Sequence, residues 1–304
     1  METIPLRKRI SLDPAVTALI ALSCLWGYNW VVMKEALKYS GPFDFAALRM
    51  VVGVVCLFGL LLWRRKSIRP KRPLQTFVLG FVGTTVTIGA VTWALALGSV
   101  GRTAILVYTM PFWVLLLAWP ILGERIRGNQ WIPTVLAFAG LLIILDPGHM
   151  HGSALAKILA VVSGVGWGLG AVVTKIMRGK TEFDLVSLTT WQMLFGTIPL
   201  VVIALIVPEE PVRWTPSFIA ALVYSGVFSN AVSVLLWFYI LEKLSAGAAS
   251  MGTLATPVIG MTASFIQLGE RPSPWEGAGM ILILVALGLL TYIGYRQSRL
   301  LKLP

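Results

Sequence analysis

A chain of 304 residues that is 57% hydrophobic and only 12% charged, with a mean hydropathy of +0.82, has too little polar surface to coat a water-soluble particle. The same figures exclude a disordered chain, a collagen, a coiled coil and a secreted disulfide scaffold. The net charge of +12 would suit a nucleic-acid partner, but the positions of the cations favour a membrane-sidedness signal, and no nucleic acid is expected.

Nine stretches run for 17 residues or more without Asp, Glu, Lys or Arg: 14–33, 73–101, 103–123, 128–145, 158–174, 185–208, 214–241, 244–269 and 277–295. A tenth, 45–63, is interrupted only by Arg49. A helix needs about 20 apolar residues to cross a ~30 Å hydrocarbon core. The expected fold is an all-α membrane protein of ten transmembrane helices, with the lipid bilayer as its permanent surroundings and no room for a soluble module.

Helix 1 follows Arg7, Lys8 and Arg9. Its apolar run is longer than the 7–15 residues of a signal peptide and lacks an A-x-A-like cleavage site, so it stays as a span. Trp26, Asn29, Trp30 and Met33 recur at i, i+3, i+4 and i+7 and share one face. Asparagine in hydrocarbon needs a partner, so this face turns inward, either as a cavity wall or as a helix-packing seam. In helix 2, Arg49 has two open readings: snorkelling to the nearby surface, or contact with a substrate carboxylate. Cys24 and Cys56 have neither disulfide nor metal spacing and read as small buried residues.

Helix 3 carries Thr85, Gly89, Thr92 and Trp93 on one stripe, and helix 4 carries Tyr108 and Pro111. Helix 6 reads GVGWGLG; Gly164 with Gly168 and Gly166 with Gly170 match G-x-x-x-G, a packing signal that covers dimerisation as well. Trp167 in the same segment is a cavity candidate. Helix 8 sets Gly226, Ser229, Asn230, Ser233 and Trp237 on one face, and helix 9 carries Pro257. Pro111 and Pro257 each free a carbonyl near mid-span and offer hinges.

Among the 12 tryptophans, Trp63, Trp119, Trp131, Trp214 and Trp275 lie near span ends and read as an interfacial belt. The other seven lie deeper, where rings can stack an aromatic ligand or hold a cationic one. No span holds Asp, Glu or His, which argues against a strong intramembrane proton site and against a membrane-embedded enzyme. His149 and His151 share a loop without a neighbouring thiol or carboxylate, a poor metal site, and neither a Walker loop nor a dinucleotide fingerprint occurs. No metal and no cofactor are expected.

The chain repeats. Pro111, Gly123, Glu124 and Arg125 match Pro257, Gly269, Glu270 and Arg271 at an offset of 146. Trp26-Gly27 and Lys34 match Trp167-Gly168 and Lys175 at 141, Met50 and Gly53 match Met193 and Gly196 at 143, and Trp93 matches Trp237 at 144. Each copy holds five helices, expected over 1–148 and 149–304. An odd number inverts the second copy, giving a pseudo-two-fold axis in the membrane plane. Alternating the spans places 18 Lys and Arg on the side of the termini and six on the other, with Arg49 between them, so both termini are expected in the cytoplasm.

W-G-x-N-W at 26–30, F-x-x-L-R at 45–49, Pro111, and L-G-E-R at 122–125 and 268–271 together resemble the drug/metabolite transporter superfamily. Within it the chain is similar to the EamA type and, more narrowly, to YddG-like exporters of aromatic amino acids. The second copy departs from the pattern at Gln192, where the first has Arg49. The resemblance implies export of amino acids, aromatic ones first, across a bacterial inner membrane by alternating access. Joined to the polar and aromatic faces above, it implies a cavity among helices 1, 3, 4, 6, 8 and 9. The expected substrate-binding residues are Trp26, Asn29, Trp30, Thr85, Trp93, Tyr108, Trp167, Asn230, Ser233 and Trp237. A carrier for another small metabolite or drug, and a passive channel, are the alternatives; monomer and homodimer both stay open.

Overall fold

The computed structural model describes residues 14–66, 68–123, 128–145, 153–178, 184–243 and 255–300. Ten helices account for most of them: α1 (Pro14–Ala36), α2 (Pro42–Trp63), α3 (Pro73–Leu97), α4 (Val100–Leu122) and α5 (Trp131–Leu145). Then follow α6 (Ala154–Arg178), α7 (Leu185–Ile206), α8 (Pro216–Val223 continuing through Tyr224–Val232 and Ser233–Lys243), α9 (Ala255–Leu268) and α10 (Pro274–Leu300). Nine are long and apolar enough to cross a bilayer, and α9 is a shorter apolar helix of 14 residues. No strand occurs among the described residues.

Local chemistry sets the helix ends. Proline opens α1, α2, α3, α8 and α10, where its missing N–H costs nothing because the first-turn N–H groups have no intrahelical acceptor. Gly123 and Gly269, matched in the two copies, both adopt left-handed φ, +70° and +66°. Gly123 terminates α4, the position where a residue without Cβ is favoured.

α3 and α8 are not uniform α-helices. Each contains a π-helical stretch, Phe81–Val86 in α3 and Tyr224–Val232 in α8, at matched places in the two copies. The wider turn has the same side-chain anchor in both. Thr87 donates to the Val82 carbonyl (2.9 Å) and Ser233 to the Phe228 carbonyl (2.9 Å), each five residues back. α4 breaks at Tyr108–Thr109, between Val100–Val107 and Met110–Leu122.

Packing follows the inverted repeat. α1 lies against α8 and α9, and its counterpart α6 lies against α3 and α4. α2 packs on α8 as α7 packs on α3; α2 meets α7, and α5 meets α10. Neighbouring pairs thus run α3–α6–α4–α9–α1–α8, the six helices expected around a centre, with α2, α7, α5 and α10 flanking them. The chain is two inverted five-helix repeats.

Glycines allow these approaches. A Cβ on Gly27 would lie 2.7 Å from Ile259, and one on Gly168 would lie 2.9 Å from Trp113. In α6, Gly164 and Gly168 face α4, while Gly166 and Gly170 face α3. Both G-x-x-x-G pairs are therefore occupied within the chain. The outer surface is apolar, with Val55, Leu205 and Ile266 more than half exposed, and the five span-end tryptophans stand exposed as a membrane belt requires. Cys24 is also exposed and Cys56 half-buried, against the expectation that both would be buried. Cys24 lies on an exposed helix side, where a small thiol is as acceptable to lipid as to protein, and Cys56 packs at the edge of the cluster around Met50 and Leu57.

Candidate functional site

The face predicted on α1 comes together with α8, α9 and α4. Asn29 is buried, and its Oδ1 accepts a 2.8 Å hydrogen bond from the Ser225 hydroxyl of α8. Trp26 Nε1 donates to the Ser229 carbonyl at 3.1 Å, inside the π-helical stretch, and its ring lies 6.2 Å from that of Trp237. Trp30 is 6% exposed and sits 6.5 Å from Tyr108 beside the α4 break. Gly260 of α9 packs on the edge of Trp30, and the Tyr108 hydroxyl faces Thr256 of the same helix. The result is an indole pair and an indole–phenol pair with a buried amide–hydroxyl pair between them along α1.

Other expected residues go elsewhere. Thr85 spends its hydroxyl on the Gly196 carbonyl of α7 (2.7 Å), and Gly89 packs on Leu200 of the same helix. Thr92 bonds within its own helix to Ile88, and Trp93 lies against Phe43, 5.5 Å between rings, at the start of α2. Thr85 and Gly89 of the α3 stripe form a packing seam with α7, and Trp93 lines a distal cleft of about 490 Å³ with Phe43, Glu209 and Arg213. The α8 stripe divides between two neighbours: Trp237 and the Ser229 carbonyl face α1, joined there by Ser225 from outside the stripe, whereas Gly226 and Asn230 face α2 at Val52 and Gly53. The π-helical turn causes the division, because five residues per bond displace the 3.6-residue register on which a single face was drawn. Ser233 is committed to Phe228 within α8. Trp167 is 37% exposed on α6 and joins none of these contacts.

Pro111 follows directly on the α4 break, where Thr109 caps Leu106 (2.6 Å) and receives Trp113 Nε1 (3.0 Å). Pro257 is the third residue of α9; the segment before Ala255 lies outside the described residues. Glu124, Arg125, His149 and His151 lie outside them too. Arg49 does not snorkel. α2 begins at Pro42 rather than at 45, which places Arg49 about 10 Å along the helix, and its residue is only 3% exposed.

The residues that sequence reasoning missed gather at the end of the molecule distant from Pro14 and Leu300, where all but Lys34 join the two copies. Glu270 accepts from the backbone N–H of Val100 (2.8 Å) and from the Ser264 hydroxyl (2.5 Å), a carboxylate at the N-terminus of α4. Lys34 Nζ donates to the carbonyls of Leu95 and Gly98, both at 2.6 Å, closing the C-terminus of α3. Glu209 accepts from the N–H groups of Phe43 (3.1 Å) and Asp44 (2.9 Å) at the start of α2. Arg213 donates to the Lys38 carbonyl, and Arg102 pairs with Glu276. The signal for two of these was in the repeat itself, since Lys34 matches Lys175 and Glu270 stands in the second L-G-E-R.

At the opposite end, Lys66 pairs with Asp184 at 2.9 Å. Asp184 also caps α7 by accepting from Ser187 N–H (3.0 Å). Partial burial alone raises its carboxyl, but the Ser187 N–H and the Lys66 ammonium outweigh that and hold it below its ordinary value of 3.8. A cleft of about 320 Å³ lies beside this pair, lined by Lys66, Arg69, Lys71 and Trp191 among others. Among the described residues no group of three His, Cys, Asp or Glu is placed to hold a metal.

Comparison with known proteins agrees with this architecture. An uncharacterized transporter of Bacillus subtilis, YoaV, is 26% identical over 286 residues, covering 92% of this chain and 97% of that protein. A second from the same organism, YvbV, is 29% identical over 271 residues, 88% of each. A probable amino-acid metabolite efflux pump of Escherichia coli is 26% identical over 307 residues, covering 96% of this chain and 99% of its own. One solved crystal structure superposes with a TM-score of 0.64 at 18% identity, covering 94% of this chain and 99% of that one, which shows a shared fold. The EamA-like transporter family matches residues 14–146 and 154–292, one match per five-helix copy, and the chain is a multi-pass membrane protein that belongs to that family.

Proposed function

We propose that this transporter exports amino acids, aromatic ones preferred, from a bacterial cytoplasm across the inner membrane by alternating access. The observation that carries the substrate reading is the row along α1, where Trp26–Trp237 and Trp30–Tyr108 flank the Asn29–Ser225 pair. Ring pairs 6–7 Å apart offer stacking partners to an aromatic side chain, and the amide and hydroxyl offer polar contacts to a zwitterionic head group. The naming of one relative as a probable amino-acid metabolite efflux pump supports the same class.

The contacts at the distal end support a conformation closed on that side, which the distribution of Lys and Arg assigns to the outside, with both termini in the cytoplasm. Opening would separate Glu270 from the start of α4 and pivot the two copies about the α4 break at Pro111 and the start of α9 near Pro257. Carriage without an obligatory proton is the simplest reading, since the acidic residues described within helices, Glu35, Asp44, Glu242 and Glu276, all lie in the first or last turn of their helices.

Counterflow in proteoliposomes tests the reading. Vesicles loaded with unlabelled phenylalanine or tryptophan should transiently accumulate the labelled compound without a pH gradient. Equilibration without overshoot would indicate a channel. Overshoot only with a drug cation or another metabolite, or only under a pH gradient, would overturn the substrate or the coupling assigned here.

A further inference from the structure

Arg49 is a cation deep in the bundle without a counter-ion. Its residue is 3% exposed, and its Nε is buried with no hydrogen-bond partner. The ion pairs among the described residues, Lys38–Glu35, Lys66–Asp184 and Arg102–Glu276, do not include it, and Asp44 on the same helix forms no bridge to it. Its visible partner is the Phe45 ring, with Cζ 5.9 Å from the centroid. A ring face returns far less than the removal of a guanidinium from water costs, so the group is left electrostatically unsatisfied.

The inverted repeat supplies an internal control. Arg49 lies on the α2–α8 crossing, where a Cβ on Gly226 would approach its carbonyl to 3.1 Å, and where Gly53 meets Asn230. The matched α7–α3 crossing is built in the same way: Gly80 meets the Gln192 carbonyl and Gly196 meets Thr84. Gln192 stands in the place of Arg49, at the same 143-residue offset as Gly53 and Gly196. One crossing is thus completed with a neutral amide and the other with a guanidinium, so the charge is not a requirement of helix packing. A second donor on the charged crossing, Asn230 Nδ2, is also buried without a partner. Asn230 packs against Gly53, one turn along α2 from Arg49; both unsatisfied groups on this crossing are donors, and what a buried cation and a buried donor lack is an anion with acceptor oxygens.

We infer that Arg49 is the anchor for the carboxylate of the transported solute, so that this protein carries organic anions or zwitterions with a free carboxylate and an aromatic or apolar body. The planar fork of guanidinium N–H groups matches a carboxylate in two-point contact, which a point-charge ammonium does not. The apolar body follows from the ring beside the cation, because Phe45 packs on Phe218 at 6.1 Å between centroids and both belong to the buried cluster that extends to Trp30 and Tyr108. This deepens the amino-acid reading above by naming the group recognised, and the tests below separate the two.

The purified full-length protein in proteoliposomes should exchange phenylalanine at least ten times faster than phenethylamine, which keeps the ring and the amine and lacks the carboxylate. Arg49→Gln, the residue that the other repeat already tolerates, should fold with an unchanged or higher Tm and lose phenylalanine exchange tenfold or more. Arg49→Lys should recover only part of it. Equal exchange of phenethylamine by the wild type, or unimpaired phenylalanine exchange by a folded Arg49→Gln, overturns the assignment.

A binding measurement decides the matter even if no aromatic amino acid is carried. Phenylalanine, benzoate, phenylacetate and short aliphatic carboxylates are added to the detergent-solubilised protein, with chloride at equal ionic strength as control. A rise in Tm with any of these carboxylates that is absent in Arg49→Gln supports the carboxylate site. No rise with any of them, a rise retained in Arg49→Gln, or an equal rise with chloride overturns it.

Discussion

The Ser225 hydroxyl donates a 2.8 Å hydrogen bond to Oδ1 of Asn29, joining two residues 196 positions apart where α8 crosses α1. Both are buried, so each is the other's replacement for water. Asn29→Ala or Ser225→Ala leaves an unsatisfied group in hydrocarbon or protein interior and should cost about 1–2 kcal/mol. The double variant should cost less than the sum of the two, since they share one bond. Thermal unfolding in detergent of the four proteins checks this; strict additivity would show that the bond contributes nothing.

Trp26 and Trp93 are predicted to behave differently, although the repeat pattern treats both as deep aromatics. Trp26→Ala removes the hydrogen bond to Ser229 and the ring beside Trp237, and should reduce solute exchange at least tenfold while the protein inserts and folds. Trp93→Ala removes packing on Phe43 at the distal end and should lower Tm with the KM for solute unchanged. Equal loss of exchange in both would remove the distinction.

Thr87→Val and Ser233→Ala test the π-helical anchors. Each deletes a hydroxyl bonded to the carbonyl five residues back, at a cost of about 0.5–1.5 kcal/mol. Exchange rates should stay within twofold of the wild type, because neither hydroxyl is free for a solute. A large loss of exchange in Ser233→Ala at unchanged Tm would return that residue to the binding site.

Glu270→Gln should destabilise the distal end by about 1–2 kcal/mol, because a neutral amide loses the charge that faces the N–H groups opening α4. Lys34→Met should act on the same turn from the α3 side, and the two changes should be non-additive. Under alternating access the variants should also expose Gly98 and Ser99 more often. Cysteine labelling at Ser99→Cys measures this, and labelling unaffected by Glu270→Gln would show that the carboxylate does not hold the end closed.

The Asp184 cap gives a pH dependence of defined sign. Its folded value lies below 3.8, so its contribution is complete above that value and disappears as the pH falls through the lower folded value. The pair with Lys66 is substantially exposed, so most of the effect belongs to the cap, about 0.5–1 kcal/mol. Asp184→Asn, which can still cap, should keep most of this stability and flatten its acid dependence. An acid profile of Tm unchanged by Asp184→Asn would assign the dependence to other carboxylates.

Spans, helix count and inverted duplication were legible from residues alone, because the hydrocarbon core imposes length and apolarity on each segment separately. The same holds for the shared face of Trp26, Asn29 and Trp30, since three- and four-residue spacing is a property of one helix. Which neighbour a face meets is not. Thr85 went to Gly196, Trp93 to Phe43 and Asn230 to Gly53, because helix periodicity orders residues around an axis without orienting that axis in the bundle. Ser233 was lost to the site for a related reason: the π-helical register around it departs from the 3.6-residue period used to draw the stripe. Arg49 had two readings open in one dimension, and the decision rested on where α2 begins and on what lies against it. Three added residues at Pro42, with the Phe45 ring against the guanidinium, turned a charge near a span end into one buried without a counter-ion.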